Sequence, residues 1–422
     1  MFDACPDTNE KHAANPQARQ NRARPFKSVL SLLIGFVPIA TFIGLISFRS
    51  VVVAPNASAK KESHLSPLDE ISRSIHTDSS NSLLEGCFIN AAGELPCNHG
   101  GSLAELPDGS LLCTWYAASS EAAPDARIFC SRLQKGSRSW TQPEVIVRPQ
   151  APIQGCWFAN KSVGDTVLFL DHEQCLWLFF AGVTIGGWSG SHVDFVVSRD
   201  FGRQWSPVQR LIAGFGQSPR SKLIELAGGQ VMIPLSSWLF HWEGYTVCLN
   251  LSDGQVTNKS IAAKIPGPEN SQPSLVTLAN RDIVAYLRNP RGGSLLFSKW
   301  NASLSQWSPA KPVNLPSPDS AVDAIACEDG VLVVYTSDLI RRFGMSVAWS
   351  SDGEHFSPLS SLGDRADVSV SYPTVIRSSD GDYHLIYTYA GRAMIKYLHL
   401  PKQWVQQKIA KVRAAGESKG DW

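Results

Sequence analysis

The sequence has 422 residues, of which 38 are lysine or arginine and 37 are aspartate or glutamate, so its net charge is only +1. This balance excludes the basic surface that nucleic-acid-binding proteins present, and no basic cluster alternates with aromatic residues in a nucleic-acid-binding pattern. The length accommodates two average domains or one large repeat domain. We therefore expect a protein with no nucleic-acid partner.

The first predicted element is a membrane-spanning helix at residues 28–48. This segment carries no charge and is long enough to cross a bilayer as a helix. Basic residues cluster before it and only Arg49 follows closely, so the positive-inside rule predicts a cytoplasmic segment 1–27 and an extracytoplasmic remainder. A cleaved signal peptide, with Ala57-Ser58-Ala59 as its cleavage site, is the alternative. The apolar core of a signal peptide is usually about 7–15 residues, so the greater length of segment 28–48 favours a single-pass anchor.

The next segment, residues 49–85, mixes Ala, Ser, Pro, Lys and Glu without periodicity and is predicted to be a stalk. The folded domain is expected at residues 86–405. A charged tail with little structure is expected at 406–422. Cys87 and Cys97 flank a short loop at the start of the folded domain, where a disulfide is possible in an exported protein.

The folded region contains six short turns, each followed by an apolar run, at a spacing of about fifty residues. A repeat of this length with several short strands is typical of a β-propeller blade. We therefore predict an all-β, six-bladed propeller in which the apolar runs are the inner strands. The six units begin at Leu106, Leu170, Leu226, Leu278, Cys327 and Ser378.

A smaller motif recurs between the strands. Residues 198–205 read Ser-Arg-Asp-Phe-Gly-Arg-Gln-Trp, and a contracted form stands at residues 350–356. In such a turn Asp and Ser bond backbone amides, Gly adopts a positive φ and the aromatic residue packs between strands. This is the Asp box, and over residues 86–400 the chain resembles the sialidase superfamily, in particular its divergent bacterial sialidase-like BNR-repeat proteins.

The resemblance implies an exo-glycosidase that hydrolyses a terminal acidic sugar. Family enzymes clamp the substrate carboxylate with three arginines, because guanidinium groups bind carboxylates bidentately. Their nucleophile is a tyrosine activated by a glutamate, an exception to the usual pair of carboxylates. In this sequence Tyr372 matches the nucleophile, Arg288 the second arginine, and Arg342 the third, although the neighbouring Arg341 could exchange roles with it.

Two family positions are altered. His99 stands where the first clamp arginine would, and Gln272 stands where the glutamate partner of the tyrosine would. Glutamine cannot accept a proton as a general base. We expect both residues to line the substrate pocket.

Three acidic residues are candidates for the remaining catalytic work. Glu121 and Asp125 follow the first apolar run, and either could be the proton donor if apolar surroundings raised its pKa. Asp323 lies alone in an apolar run, so it is expected to be a site residue or the partner of Arg288 or Arg342.

The preferred prediction is a membrane-anchored exo-glycosidase whose partner is a glycan. A lectin-like propeller that binds glycans without hydrolysis is the second hypothesis, and an interaction scaffold without a sugar site is the third. No motif implies an organic cofactor, and the cysteines lack metal-binding spacing. For Trp157 and His192 the sequence is compatible with two interpretations, a residue that lines the pocket or a structural residue.

Overall fold

The computed structural model describes residues 84–90 and 95–417, which form six antiparallel sheets arranged as blades. Blade 1 contains β2 (Cys97–Glu105), β3 (Leu111–Ala118), β4 (Arg127–Leu133) and β5 (Glu144–Val147). Blade 2 contains β6 (Ser162–Leu170), β7 (Leu176–Val183), β8 (Ser191–Ser198) and β9 (Gln209–Ile212), with a 3₁₀ turn at Trp188–Gly190. Blade 3 contains β10 (Gln217–Pro219), β11 (Ile224–Glu225), β12 (Gln230–Ser237), β13 (Glu243–Ser252), β14 (Gln255–Lys259) and β15 (Ala263–Lys264).

The last three blades follow the same plan. Blade 4 contains β16 (Ser271–Thr277), β17 (Ile283–Arg288), β18 (Ser294–Asn301), β19 (Gln306–Trp307) and β20 (Lys311–Pro316). Blade 5 contains β21 (Asp323–Cys327), β22 (Gly330–Thr336), β23 (Met345–Ser350) and β24 (Ser357–Ser361). Blade 6 contains β25 (Val370–Arg377), β26 (Tyr383–Tyr389), β27 (Met394–Leu400) and, from the start of the described chain, β1 (Glu85–Phe88). The prediction of an all-β, six-bladed propeller is confirmed.

The apolar runs are the second strand of each blade, so their prediction as inner strands was wrong. In β7, Leu176 and Phe180 pack toward blade 1, whereas Trp177 and Phe179 pack toward blade 3. A strand covered on both faces reads as a continuous apolar run. The innermost strands line the axis and therefore carry polar and small residues, as in the sequence Cys-Asn-His-Gly-Gly of β2.

The ring closes through β1, which pairs with β27 and so joins the first described strand to the last blade. Glu85 lies opposite His399 and Phe88 opposite Lys396 in this antiparallel register. This pairing makes the outer edge of blade 6 depend on a segment more than 300 residues away in sequence.

The Asp boxes lie in turns between the third and fourth strands. In the complete box, the Asp200 carboxylate accepts hydrogen bonds from the amides of Arg203 and Gln204 at 3.1 and 2.8 Å, and Ser198 Oγ accepts one from Gly202 at 2.7 Å. Strand direction places these turns at one end of the propeller. The opposite end, here called the site face, carries the loops from second to third strands and from each blade to the next.

The last element among the described residues is a helix, α1 (Lys402–Glu417). Trp404 and Ile409 are buried in the apolar cluster between blades 5 and 6, and Arg413 pairs with Asp329 at 3.3 Å. The expectation of little structure after residue 405 was therefore wrong for residues 406–417, because an apolar helix face covers this blade interface.

Within residues 84–90 and 95–417, no helix is both long enough and apolar enough to span a bilayer. The predicted anchor at 28–48 and most of the predicted stalk lie outside the described residues. Cys87 and Cys97, for which a disulfide was considered possible, do lie within them and are not bonded to each other. Cys87 occupies the edge strand β1 and Cys97 is buried in β2.

Candidate functional site

Four of the innermost strands are irregular near the site face. The pairing registers of β2, β6, β16 and β25 with their second strands each shift at a bulge. Each bulge holds a residue with positive φ: Gly100 at 61°, Asp165 at 31°, Gln272 at 49° and Tyr372 at 57°. A bulge redirects a side chain, and a non-glycine residue in this conformation costs about 1–3 kcal/mol. Such strain, repeated around the axis, indicates a site.

Tyr372 lies at the centre of this site, with its side chain buried and its ring against that of His99 at a centroid distance of 4.1 Å. Arg288 Nη1 donates hydrogen bonds to the Tyr372 hydroxyl and to Gln272 Oε1, both at 3.0 Å. Gln272 Nε2 lies 3.5 Å from the same hydroxyl. Three residues predicted from distant parts of the sequence therefore meet at one oxygen atom.

The two predicted clamp arginines share one acidic partner. Arg288 Nε donates to Asp319 Oδ1 at 2.7 Å, and Arg342 Nη2 donates to the Asp319 backbone oxygen, also at 2.7 Å. The Arg342 guanidinium lies 5.9 Å from the centre of the Tyr372 ring. Arg341 instead pairs with Asp338 on the surface, so Arg342 is the arginine that faces the site.

Two further arginines belong to the site and were missed by sequence analysis. Arg220, after β10, is buried and lies 5.1 Å from the centre of the Tyr372 ring. It donates to the Pro373 carbonyl at 3.0 Å and the Thr374 hydroxyl at 3.2 Å, so it connects blade 3 to blade 6 across the axis. Arg392, in the loop between β26 and β27, pairs with Glu121. Arg220 lies at the start of blade 3, the position that the bulge residues occupy in other blades, and this position is the sequence signal that could have identified it. No feature of the sequence indicates that Arg392 belongs to the site.

His99 is buried among these cations. Its Nδ1 lies 2.9 Å from Thr388 Oγ1, and its Nε2 is buried without a hydrogen-bond partner. Burial and the nearby arginines, Arg392 first among them, hold the pKa of His99 well below its usual range. The imidazole is therefore neutral at physiological pH and does not replace the charge of a first clamp arginine.

The three carboxyl groups at the blade 1–2 side of the site differ in their surroundings. Glu121 accepts a hydrogen bond from Trp188 Nε1 at 2.9 Å and pairs with Arg392. Asp125 points to its own loop, where it accepts from the Ser119 amide at 3.2 Å. Asp165 is buried on β6, and this burial raises its pKa to about 6 despite the opposing effect of Arg220. Sequence analysis missed Asp165, because the bulge in β6 on which it lies is evident only from the structure.

The site thus combines the guanidinium groups of four arginines with three carboxyl groups that face them, those of Glu121, Asp165 and Asp319, and the Asp165 carboxyl is partly protonated near neutral pH. This excess of positive charge fits an anionic ligand. No group of three or more His, Cys, Asp or Glu side chains capable of holding a metal occurs among residues 84–90 and 95–417.

A family model for the BNR repeat-like domain matches residues 109–385, which is well over half of the chain. The chain belongs to the BNR repeat-like domain family. The sequence-based resemblance to sialidase-like BNR-repeat proteins is thereby confirmed. No curated protein sequence matches the chain.

Solved structures show the same architecture for this BNR repeat-like protein at low identity. The intramolecular trans-sialidase from Ruminococcus gnavus is 12% identical, with a TM-score of 0.59 over 75% of this chain and 97% of that one. A protein of unknown function from Dyadobacter fermentans is 14% identical, with a TM-score of 0.60 over 75% and 98%. The NanB sialidase from Streptococcus pneumoniae is 10% identical, with a TM-score of 0.59 over 78% and 70%. At these identities the likeness establishes the fold.

Asp323 was expected to be a site residue or the partner of Arg288 or Arg342, and the structure shows it paired with neither arginine. Asp323 is buried at the start of β21, where it pairs with Lys222, accepts from Ser274 Oγ at 2.7 Å and accepts from the Val375 amide at 2.8 Å. These contacts join blades 3, 4, 5 and 6. The physical reason is that Asp319, not Asp323, reaches the two arginines, which leaves Asp323 to a buried network between blades.

We predict that Asp323→Ala destabilises the propeller by about 3 kcal/mol, the lower end for a buried pair, because it leaves the largely buried Lys222 without its partner. Lys222→Met should also destabilise the wild-type protein, yet cost much less in the Asp323→Ala background, since the buried charge is then removed. Urea unfolding of the two single variants and the double variant measures this coupling. Strictly additive losses would show that the ion pair does not connect the blades.

Proposed function

We propose that this BNR repeat-like protein is an exo-glycosidase that acts on the terminal acidic sugar of a glycan. The observation that carries the proposal is the Tyr372 hydroxyl, which receives a hydrogen bond from Arg288 inside a pocket with excess positive charge. A phenol oxygen in this position is a nucleophile that does not repel an anionic substrate. The sialidase and trans-sialidase names of two structural neighbours add support for this substrate class.

In the proposed reaction Arg288 and Arg342 bind the sugar carboxylate. Tyr372 Oη forms a bond to the anomeric carbon while its own proton passes to solvent water; the bond to the leaving oxygen breaks, and a carboxylic acid protonates that oxygen. Water then attacks the anomeric carbon and gives one proton to the resulting carboxylate, and the departing tyrosine oxygen takes a proton from solvent. The Arg288 guanidinium stabilises the negative charge that the phenol oxygen carries when its proton leaves and again when the tyrosyl–sugar bond breaks.

Asp165 is the carboxylic acid best suited to donate the proton, because its pKa of about 6 leaves a substantial protonated fraction near neutral pH. Glu121 is the second candidate, but its carboxylate is already engaged by the ion pair with Arg392 and the hydrogen bond from Trp188. Asp125 is turned toward Ser119 and is not proposed as the donor.

Gln272 favours a second function, glycan binding without hydrolysis. It occupies the place of a general base beside Tyr372, and a glutamine amide cannot take the phenol proton. In this lectin-like alternative the same arginines and the same tyrosine hold the sugar, and no bond is broken.

We also propose, from the sequence alone, that residues 28–48 anchor the protein in a membrane and that the propeller lies on the extracytoplasmic side. The uncharged length of this segment and the basic residues before it support this localisation.

Tyr372→Phe should abolish hydrolysis of aryl glycosides of acidic sugars, a sialoside among them, while changing the affinity for a non-hydrolysable sialoside by less than about tenfold. The reason is that the nucleophilic oxygen is lost but the arginine clamp remains. Release of the aryl alcohol and calorimetric binding give the two quantities. Full hydrolysis by the phenylalanine variant would remove Tyr372 from its proposed role, and saturable binding without hydrolysis by the wild type would establish the lectin.

Gln272→Glu should raise the hydrolysis rate by about 10²-fold, because it supplies a base beside the tyrosine. Gln272→Met, which has a similar volume and no proton acceptor, is the matched control and should give no gain. The measurement is kcat on the same aryl sialoside for the three proteins. An unchanged rate in the glutamate variant would contradict tyrosine-dependent chemistry.

Asp165 should make binding of an acidic sugar depend on pH. Above pH 6 its carboxylate is charged and partly neutralises the arginines, so affinity should fall as pH rises from 5 to 7, by up to about tenfold. Asp165→Asn should flatten this profile, whereas Asp125→Asn should preserve it because Asp125 faces its own loop. Calorimetric titration with a non-hydrolysable sialoside at each pH is the test, and parallel profiles for all three proteins would exclude Asp165.

A further inference from the structure

Large apolar side chains are exposed on one sector of the site face. Trp157 is 97% exposed, Phe240 75%, Phe158 73% and Ile185 57%, with Phe215 and Leu239 also exposed. They lie on four loops: 149–160, 184–190, 213–216 and 238–242. We call these four loops the apolar crescent. Exposed apolar groups gathered beside a pocket mark an interaction surface.

Hydrogen bonds join the four loops in order. Lys161 Nζ donates to the Gly186 carbonyl at 3.4 Å, connecting the first loop to the second. His192 contacts Thr184 Oγ1 at 2.9 Å and the Ala213 carbonyl at 3.2 Å, connecting the second to the third. The Trp238 amide donates to the Gly216 carbonyl at 2.7 Å, connecting the third to the fourth. The crescent is therefore one continuous surface over blades 2 and 3, and His192 has a structural role within it.

The four crescent loops contain no Asp, Glu, Lys or Arg, and His241 is their one titratable imidazole. Lys161 directly follows the first loop, and its ammonium lies at the edge of the crescent. An apolar ligand part can therefore contact the crescent loops with little desolvation of formal charge.

The other side of the mouth carries ion pairs, Arg291 with Glu269 and Arg341 with Asp338, together with the exposed side chains of Leu339 and Ile340.

The same loops also form part of the pocket wall. Trp188, three residues after Ile185, donates to Glu121 at 2.9 Å. Trp242, two residues after Phe240, lies beneath the Arg288 guanidinium at 5.0 Å. A ligand that leaves the arginine pocket on this side therefore passes directly onto exposed apolar side chains.

We propose that the crescent binds the apolar aglycone of an amphiphilic glycoconjugate, a glycolipid-type substrate whose acidic sugar occupies the arginine pocket. This inference rests on the proposed function, because it takes the pocket as the site of the sugar. The cationic pocket matches the anionic head, and the crescent loops, which carry no charged side chain of their own, match a hydrocarbon chain. Trp157, Phe158 and Phe240 supply the most exposed contact surface.

The test is calorimetric binding of thio-linked methyl, butyl and octyl sialosides to the full-length chain, each below its micelle concentration. Sulfur linkage prevents hydrolysis. Affinity should rise by about fourfold for each methylene that the crescent buries. Trp157→Ser combined with Phe240→Ser should abolish this rise and leave the methyl sialoside affinity within twofold of wild type, which also shows that the variant is folded.

Ile261→Ser combined with Leu304→Ser is the matched control, since both side chains are exposed but lie outside the crescent. This pair should retain the full chain-length dependence. Equal affinities of the three sialosides for the wild type would overturn the crescent proposal alone, as would chain-length dependence that survives the crescent substitutions. Failure of all three sialosides to bind would overturn the proposed function together with the crescent proposal.

Discussion

The structure depends on burial of each blade's second strand between two neighbouring blades. Apolar side chains alternate along these strands, so that Leu176 packs against one neighbour and Trp177 against the other. Each interface thereby has its own apolar cluster, and pairing of β1 with β27 completes the outer edge of the last blade. The hydrophobic effect at these interfaces is non-directional, and so it tolerates wide variation in the sequence of the inner strands.

That tolerance allows the inner strands to carry strained and polar residues. Asp165, Gln272 and Tyr372 all have positive φ at bulges, conformations that packing on either side must hold in place. Arg220 contributes to this support by bonding the backbone of blade 6 from blade 3. The buried contacts of Asp323 act similarly between blades 3 to 6. The residues around the axis thus form a polar network, which is stabilised by the apolar clusters at the blade interfaces.

The chemistry of the site follows from how its charges are distributed. Arg288 and Arg342 both donate hydrogen bonds to Asp319. These bonds orient the two guanidinium groups and leave their remaining N–H donors for a ligand. His99 fills space in the site but adds no charge, because burial and the nearby arginines lower its pKa and keep the imidazole neutral. Tyr372 has an arginine and a glutamine at its hydroxyl and no carboxylate, which separates this site from the tyrosine–glutamate arrangement that the resemblance implied.

The sequence by itself determined the repeat, the number of blades and the Asp-box turns, because local periodicity and motifs a few residues long are displayed directly in a sequence. The meeting of Tyr372 with Arg288, Gln272 and His99 was implied by the resemblance to the sialidase superfamily. The tertiary structure alone decided that the apolar runs are second strands, that Asp319 rather than Asp323 holds the arginines, and that Arg220, Arg392 and Asp165 join the site. Those outcomes depend on which blades face each other across the axis and on how burial raises the pKa of a carboxyl group. Neither can be read from the local sequence, because the residues involved are far apart in the chain.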